Sequence, residues 1–309
     1  MSKRVLITGS EGFTGKYVSA EFTQAGWEVW GAGVQAKPED AQYLQIDLLQ
    51  PDSLKPIVEK IKPDVVIHLA AIAFVAESDP NIFYQVNLMG TRNLLDVLAS
   101  ADSPPECTIL ASSANVYGNS ELEVLSEDSP VNPANDYAVS KLAMEYMAKT
   151  FMDMLPIVIT RPFNYTGMGQ SAKFLIPKIV QHFNSRAPVI ELGNLDVERE
   201  FSDVRDIAVY YRLIAEHQRI GETLNLCSGS PISLQHCLRL ATEISGHDIE
   251  VSVNPDFVRS NEVKRLLGNR NKLETLLSPD PPTSFTKTLT WMIDGAEQPN
   301  PALGHAEDF

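Results

Sequence analysis

"RVLITGSEGFTG", Arg4 to Gly15, governs the reading of the whole chain. Arg4–Thr8 is short, apolar and rich in β-branched residues, which predicts a strand. Gly9, Gly12 and Gly15 follow with the spacing G-x-x-G-x-x-G, and Phe13–Gln24 has the pattern of a helix. A glycine turn between a first strand and a first helix has a physical purpose. Gly9 permits the tight turn, Gly12 lets backbone amides approach a pyrophosphate, and Gly15 lets helix and strand pack closely. The helix N-terminus attracts the phosphate charge.

Outward from that turn, β-rich runs alternate with amphipathic stretches. Glu28–Ala32, Tyr43–Asp47, Asp64–Ala70, Cys107–Ser112 and Pro156–Arg161 predict strands, and Asp52–Lys62, Asn81–Ser100 and Ala134–Met152 predict helices. Asp64–Ala70 is apolar on both faces, as a buried parallel strand should be. Repeated β-α units predict an α/β fold with a doubly wound parallel sheet. After Arg161 the rhythm loosens through "RPFNYTGMGQ", and helical patterns return at Lys173–Phe183, Asp206–Glu216, Ser233–Ser245 and Thr283–Ile293. The expected organisation is a dinucleotide-binding domain over residues 1–165, with returning segments near 203–227. A smaller C-terminal substrate-binding lobe takes 166–202 and 228–295, and 296–309 forms a polar, flexible tail. Ligands of open α/β sheets bind beyond the carboxyl ends of the strands, so that lobe should close over them.

Composition excludes several classes of function. The 309 residues are 44% hydrophobic and 21% charged, ordinary for a globular protein. A net charge of −15 argues against a nucleic-acid partner, which needs a basic face. No apolar run approaches the roughly 18–20 residues that span a bilayer, and the opening "MSKRVLITGS" is too short in apolar residues for a signal peptide. Cys107, Cys227 and Cys237 are few, odd in number and widely spaced. They read as small buried hydrophobes of a cytoplasmic protein, forming neither a disulfide framework nor a metal site. No internal repeat is present.

The adenosine end of the expected cofactor is unusual. Dinucleotide folds that use NAD place an acid just after the second strand, on the ribose 2′-hydroxyl. Here that position is Gly33, within "GAGVQAKPED", and Lys37 follows nearby. With no carboxylate to reject a 2′-phosphate and a lysine to attract one, NADP(H) is favoured and NAD(H) stays open. Asp47 is a candidate for the adenine amino group or a plain turn acid.

"DYAVSK" puts Tyr137 and Lys141 four residues apart on one helix face. A free phenol, with a pKa of about 10, is a poor base at neutral pH. A neighbouring ammonium and an oxidised nicotinamide would stabilise the phenolate. Tyr137 could then exchange a proton with a sugar or alcohol oxygen while hydride moves at the adjacent carbon. Ser113, at the end of the preceding strand, would hydrogen-bond the same oxygen. His68 in "VVIHLAA" reads as a satisfied core histidine.

The ordered set "ITGSEGFTG", "VVIHLAA", "VNLMGTRNLLD", "SSANVYG", "YAVSK", "RPFN", "REFSDVRD" and "VRSNEVKRLLGN" resembles the extended short-chain dehydrogenase/reductase family of nucleotide-sugar enzymes over nearly the whole length. The resemblance is strongest to the GDP-mannose branch, which holds 4,6-dehydratases and the reductases that act on their 4-keto-6-deoxy product. It implies a Rossmann-like fold and Ser113, Tyr137 and Lys141 as the catalytic triad. It further implies that Gly9, Gly12, Phe13, Gly15, Lys37, Asp47, Leu48, Leu69, Ala70, Ala71 and Asn87, with Tyr137 and Lys141, contact the cofactor. Arg199 and Arg259 match arginines that hold a nucleotide diphosphate, Glu262 an acid on the nucleotide ribose, and Asn164 an asparagine at the diphosphate. Lys173 and Ser113 complete the substrate side.

In the 4,6-dehydratases the residues after the catalytic hydroxyl supply a carboxylate. Here they are Ala114 and Asn115, neither of which exchanges a proton at neutral pH. The expectation is therefore reduction of a 4-keto-6-deoxyhexose, GDP-4-keto-6-deoxy-D-mannose to GDP-D-rhamnose, with a 4-epimerase holding NAD tightly as the alternative. A regulatory protein that kept the fold and lost catalysis is the reading from another class. The family also implies a homodimer through a four-helix contact, for which Met144, Met147, Phe151 and Met152 offer apolar surface.

Overall fold

A computed structural model describes residues 2–73, 79–258 and 265–295. The short β-branched runs do form strands: β1 (Arg4–Thr8), β2 (Glu28–Gly33), β3 (Tyr43–Gln45), β4 (Val65–His68), β5 (Cys107–Ala111) and β6 (Ile157–Pro162). A seventh strand, Thr223–Leu226, joins beyond β6, and all seven are parallel in the order β3-β2-β1-β4-β5-β6-Thr223–Leu226. The chain winds one way from β1 to β3 and the other way from β4 onward. Thr8 pairs with Ala32 on one side and His68 on the other, so the switch between the two halves opens at the carboxyl ends of β1 and β4.

Alternation along β1 explains the two cores. Val5 and Ile7 face one layer with Val18, Phe22 and the helix Val204–His217. Leu6 faces the other with Leu94, Leu98, Met144 and Phe151. A third apolar cluster, with Ile176, Phe183, Ile190, Leu240 and Leu289, lies apart from the sheet. Three short strands, Pro231–Ser233, Glu198–Glu200 and Arg265–Leu266, pair beside it.

Four expectations change. The strand at Tyr43 ends at Gln45, so Asp47 lies in the turn beyond it, where its carboxylate accepts from the Leu49 amide at 2.9 Å and the Gln50 side chain at 3.0 Å. The Asn81–Ser100 stretch is not uniform: a π-helical segment, Tyr84–Gly90, separates Asn81–Phe83 from the α-helix Thr91–Ala99. Met144 and Phe151 are core residues, with Met147 and Met152 packed against the same core, while the exposed apolar side chains of that helix are Val139 and Tyr146. Residues 223–226 form a strand although no alternation announces it, because the strand, at the sheet edge beside β6, is buried almost throughout. The expected tail at 296–309 lies outside the described residues. Among the described residues, no helix is long and apolar enough to cross a membrane.

Phe22 is fully buried, with the Trp27 ring edge-on at 5.1 Å, so Phe22→Ala should cost about 3–5 kcal/mol in urea denaturation. Val34, 71% exposed one residue past β2, should give a Val34→Ala change within about 0.5 kcal/mol of zero.

Candidate active site

The glycine turn forms a bare backbone cradle at the switch point. Gly9 has φ +71°, and a Cβ there would stand 2.8 Å from the Ala70 nitrogen. A Cβ at Gly15 would stand 2.2 Å from the Gly9 carbonyl oxygen, so only glycine lets the helix Phe13–Gln24 start this close to β1. No side chain caps that helix, whose N-cap is Gly12, leaving its first amides available to an anion. Leu69 and Ala70 continue β4 beside the turn: the Leu69 amide donates to the Thr8 carbonyl at 3.2 Å and the Ala70 amide to Thr8 Oγ1 at 3.3 Å. These residues fit the pyrophosphate of a dinucleotide.

Asn87, expected at the cofactor, is carried on the π-helical turn and is bonded within the protein. Its Oδ1 accepts from the Ile72 amide at 2.9 Å, and its Nδ2 donates to the Ile72 carbonyl and Ser140 Oγ, each at 3.1 Å. It fastens the chain just past Ala71 to the helix Asp136–Lys149 rather than presenting free polar atoms. Leu48 is buried in the core. Phe13 stacks on Tyr165 with centroids 6.1 Å apart, and Thr14 Oγ1 meets the Tyr165 hydroxyl at 2.7 Å. Through Tyr165, the first helix touches the "RPFNYTG" loop that carries Asn164. Lys37 forms an ion pair with Glu11 of the glycine turn, a partner that sequence reading did not assign.

Tyr137, Lys141 and Ser113 converge. Tyr137 and Lys141 share the buried face of Asp136–Lys149, and the Tyr137 hydroxyl lies near enough to Ser113 to feel its hydroxyl. Ser113 Oγ also accepts from the Asn115 amide at 3.2 Å, capping the 3₁₀ turn Ala114–Tyr117. Burial pushes the Tyr137 phenol up to about 12, against a lowering by Ser113. A phenolate is thus not a property of the protein alone, and Tyr137 stands as a protonated acid at neutral pH. Burial brings Lys141 down to about 8, with Glu145 opposing, and its Nζ donates to the Ala111 carbonyl at 2.7 Å. His68 is a satisfied core residue as expected: its ring nitrogens meet Thr8 Oγ1 at 2.7 Å and Thr91 Oγ1 at 2.9 Å, and burial lowers it to about 3.

Glu145 sits one turn beyond Lys141 and is buried. Its carboxylate accepts from Arg161 Nε at 2.9 Å and Nη2 at 2.6 Å, and from Ser112 Oγ, the residue before Ser113. Arg161 Nη1 donates to the Tyr117 hydroxyl at 3.0 Å, which donates to Asn225 Oδ1 at 2.7 Å. Sequence reading passed over Glu145 and Arg161, although an acid on the buried face of Tyr137 and Lys141 was a usable signal.

The substrate residues divide. The Asn164 Nδ2 is buried with no hydrogen-bond partner, the state of a donor awaiting an acceptor. Arg199 lies on Glu198–Glu200, which pairs with both Pro231–Ser233 and Arg265–Leu266. Lys173 is exposed just before the helix Leu175–Asn184. Arg259 and Glu262 lie outside the described residues. Beside Arg199, the Glu200 carboxylate gathers the amides of Ser228, Gly229 and Gly268, each at 2.8 Å, and so clamps two segments to the candidate substrate strand. Burial pushes Glu200 up to about 7 despite those bonds.

Because burial has brought Lys141 down from 10.5 to about 8, raising the pH through 8 removes its proton, and kcat/KM should fall along a basic limb near that pH. Glu145→Gln removes a charge that holds the ammonium protonated, so the limb should move to lower pH. A role in packing alone would lower kcat and leave the limb in place.

The sequence model of a family described as GDP-mannose 4,6 dehydratase matches residues 6–292. The chain is 37% identical over 281 residues to GDP-6-deoxy-D-talose 4-dehydrogenase of Aggregatibacter actinomycetemcomitans, covering 90% of this chain and 92% of the relative. It is 32% identical over 309 residues to GDP-6-deoxy-D-mannose reductase of Pseudomonas aeruginosa, covering 96% and 98%. The structure of RMD from Pseudomonas aeruginosa complexed with NADPH superposes with a TM-score of 0.85 at 29% identity, over 96% of this chain and all of that one. A Thermus thermophilus UDP-glucose 4-epimerase complex with NAD gives 0.84 at 25% identity, over 96% and 99%. With the cradle after β1 and Ser113 after β5 at the carboxyl end of one parallel sheet, with Tyr137 and Lys141 on one buried helix face, and with matches that run almost end to end, the chain belongs to the GDP-mannose 4,6-dehydratase family, within the NAD(P)-dependent nucleotide-sugar branch of the extended short-chain dehydrogenases/reductases.

Proposed function

We propose that the protein reduces the C4 ketone of a nucleotide-linked 4-keto-6-deoxyhexose with NAD(P)H, GDP-4-keto-6-deoxy-D-mannose being the favoured substrate and GDP-D-rhamnose the product. The observation that carries this reading is Tyr137: a buried phenol beside Ser113, on the helix face it shares with Lys141 and pushed up to about 12, is a proton donor, which reduction requires. Ser113 orients the carbonyl, Tyr137 protonates the oxygen as it becomes an alcohol, and the Lys141 charge favours that transfer. When bound, the nicotinamide supplies the hydride. The dinucleotide is NADP(H) or NAD(H) in this proposal: Gly33 leaves the end of β2 without an acid against a 2′-phosphate, and the nearby Lys37 is paired with Glu11 of the glycine turn.

Ala114 and Asn115 support reduction over dehydration, since neither replaces the carboxylate that removal of a C5 proton would need. Ala114 is buried at the base of the 3₁₀ turn, so the position is closed as well as uncharged. The two GDP-linked relatives favour a GDP sugar, and Asn164, Lys173, Arg199, Arg259 and Glu262 are the residues we assign to its diphosphate and ribose. The third apolar cluster and its short strands form the substrate-binding lobe in this proposal. A nucleotide-sugar 4-epimerase is the second reading, favoured by the likeness to the NAD-bound epimerase. It would retain its cofactor through turnover.

The protein acts as a cytoplasmic enzyme in this proposal, with buried thiols at Cys107, Cys227 and Cys237. It pairs as a homodimer through the helices at residues 81–99 and 136–149, where Met89, Val139 and Tyr146 are exposed. Sedimentation at micromolar concentration should give the dimer; monomer alone would refute it.

The test of activity is NADPH oxidation with GDP-4-keto-6-deoxymannose. Consumption is expected, with Tyr137→Phe slower by about 10²–10⁴-fold. No consumption with any 4-keto nucleotide sugar, or cofactor that co-purifies and turns over without net oxidation, would reject the reductase.

A further inference from the structure

We propose that Glu11 is a specificity residue of the cofactor site: it supplies from the glycine turn the ribose carboxylate that β2 lacks, and it restrains Lys37 from selecting a 2′-phosphate. The inference rests on the dinucleotide reading of the cradle and concerns only the 2′ corner of that ligand.

At this corner β2 ends in glycine and carries no acid. A Cβ at Gly33 would stand 2.5 Å from the Tyr43 hydroxyl, and one at Gly31 would stand 2.6 Å from Ser10 Oγ. The tips of Tyr43, from β3, and Ser10, from the turn, occupy the space beside those glycines. The carboxylate comes from elsewhere. Glu11 lies between Gly9 and Gly12 in the phosphate cradle and pairs with Lys37, in the chain beyond β2. The Lys37 Nζ stands 5.5 Å from the centroid of the Tyr43 ring, and the Tyr43 phenol is pushed up by burial and by the Glu11 charge. Glu11, Lys37 and Tyr43 therefore form one unit between the cradle and the strand end at which dinucleotide folds read the ribose. The two charged side chains remain about one-third exposed, within reach of a ligand entering from solvent.

The charges decide what this unit selects. A carboxylate accepts a hydrogen bond from a 2′-hydroxyl. A 2′-phosphate instead brings up to two negative charges against Glu11 and must take Lys37 away from its partner. Lys37 by itself reads as a phosphate-binding residue, whereas the paired Lys37 is a neutralised one. The preference is set by the balance of the pair, and Glu11 is the side of that balance that favours NAD(H).

Binding of NADP⁺ and of NAD⁺ to the purified protein, followed by titration calorimetry without any sugar, tests the inference. Glu11→Gln should raise the affinity ratio for NADP⁺ over NAD⁺ by roughly fivefold, the scale of one partly exposed charge contact. Lys37→Gln should lower that ratio. Thermal melts of both variants should match the parent, since the two side chains are partly exposed. A Glu11→Gln ratio within twofold of the parent, or one displaced toward NAD⁺, overturns the inference and leaves the dinucleotide reading standing. Failure of the parent to bind either dinucleotide overturns both.

Discussion

Glu145 and Arg161 meet with almost no access to water, and the geometry of the active site hangs on that contact. The carboxylate takes two bonds from the guanidinium and one from Ser112, so the helix bearing Tyr137 and Lys141 is fixed to the ends of β5 and β6 at once. Such a pair is a poor source of net stability, because removing two charges from water costs about as much as their attraction returns. Breaking it is another matter: one partner left alone costs about 3–5 kcal/mol. The pair therefore works as a locator. It sets where Lys141 stands relative to the Ala111 carbonyl and where Ser113, next to Ser112, meets the Tyr137 hydroxyl.

The same economy of contacts links the two sides of the crevice. Thr14 and Phe13, at the start of the first helix, touch Tyr165, and Tyr165 follows Asn164, whose buried donor has no partner. The Tyr17 hydroxyl donates to the Met168 carbonyl at 2.8 Å, and the Tyr17 ring stands edge-on to Trp291 at 6.3 Å. A helix that presents its N-terminus to phosphates is thus wedged against the segment we assign to the sugar side. On the far side, Glu200 ties the Arg199 strand to the turn after the seventh strand and to Gly268.

Much of this was legible in the sequence for physical reasons. Gly9 and Gly15 announce themselves because close approach of backbone to backbone admits nothing else, and the Phe13–Gln24 helix has the bounds its pattern predicts. Tyr137 and Lys141 are visible because helical spacing places them together. Glu11 and Glu200 were not visible, since each acts through a partner distant in sequence: Lys37, and the amides at 228, 229 and 268; Glu145 shares the helix face of Tyr137 and Lys141, but its partner Arg161 lies on another element. The π-helical turn at Tyr84–Gly90 escaped as well, because a periodicity of 3.6 hides one wide turn whose consequence is to seat Asn87 against Ile72 and Ser140. Met144 and Phe151 misled because apolar residues beyond the needs of one sheet face turned out to fill the core beneath it.

In the proposed reaction hydride reaches C4 and a proton its oxygen, with no step at C5 or C6. NADPH deuterated at the transferring position, incubated with GDP-4-keto-6-deoxymannose in ordinary water and followed by NMR of the sugar, distinguishes this course from the others. One deuterium is expected at C4 for each cofactor oxidised, and the C4 configuration of the product then separates GDP-D-rhamnose from its 4-epimer. A sugar product without deuterium at C4, or the appearance of a 4-keto-6-deoxy sugar from GDP-mannose itself, would contradict it.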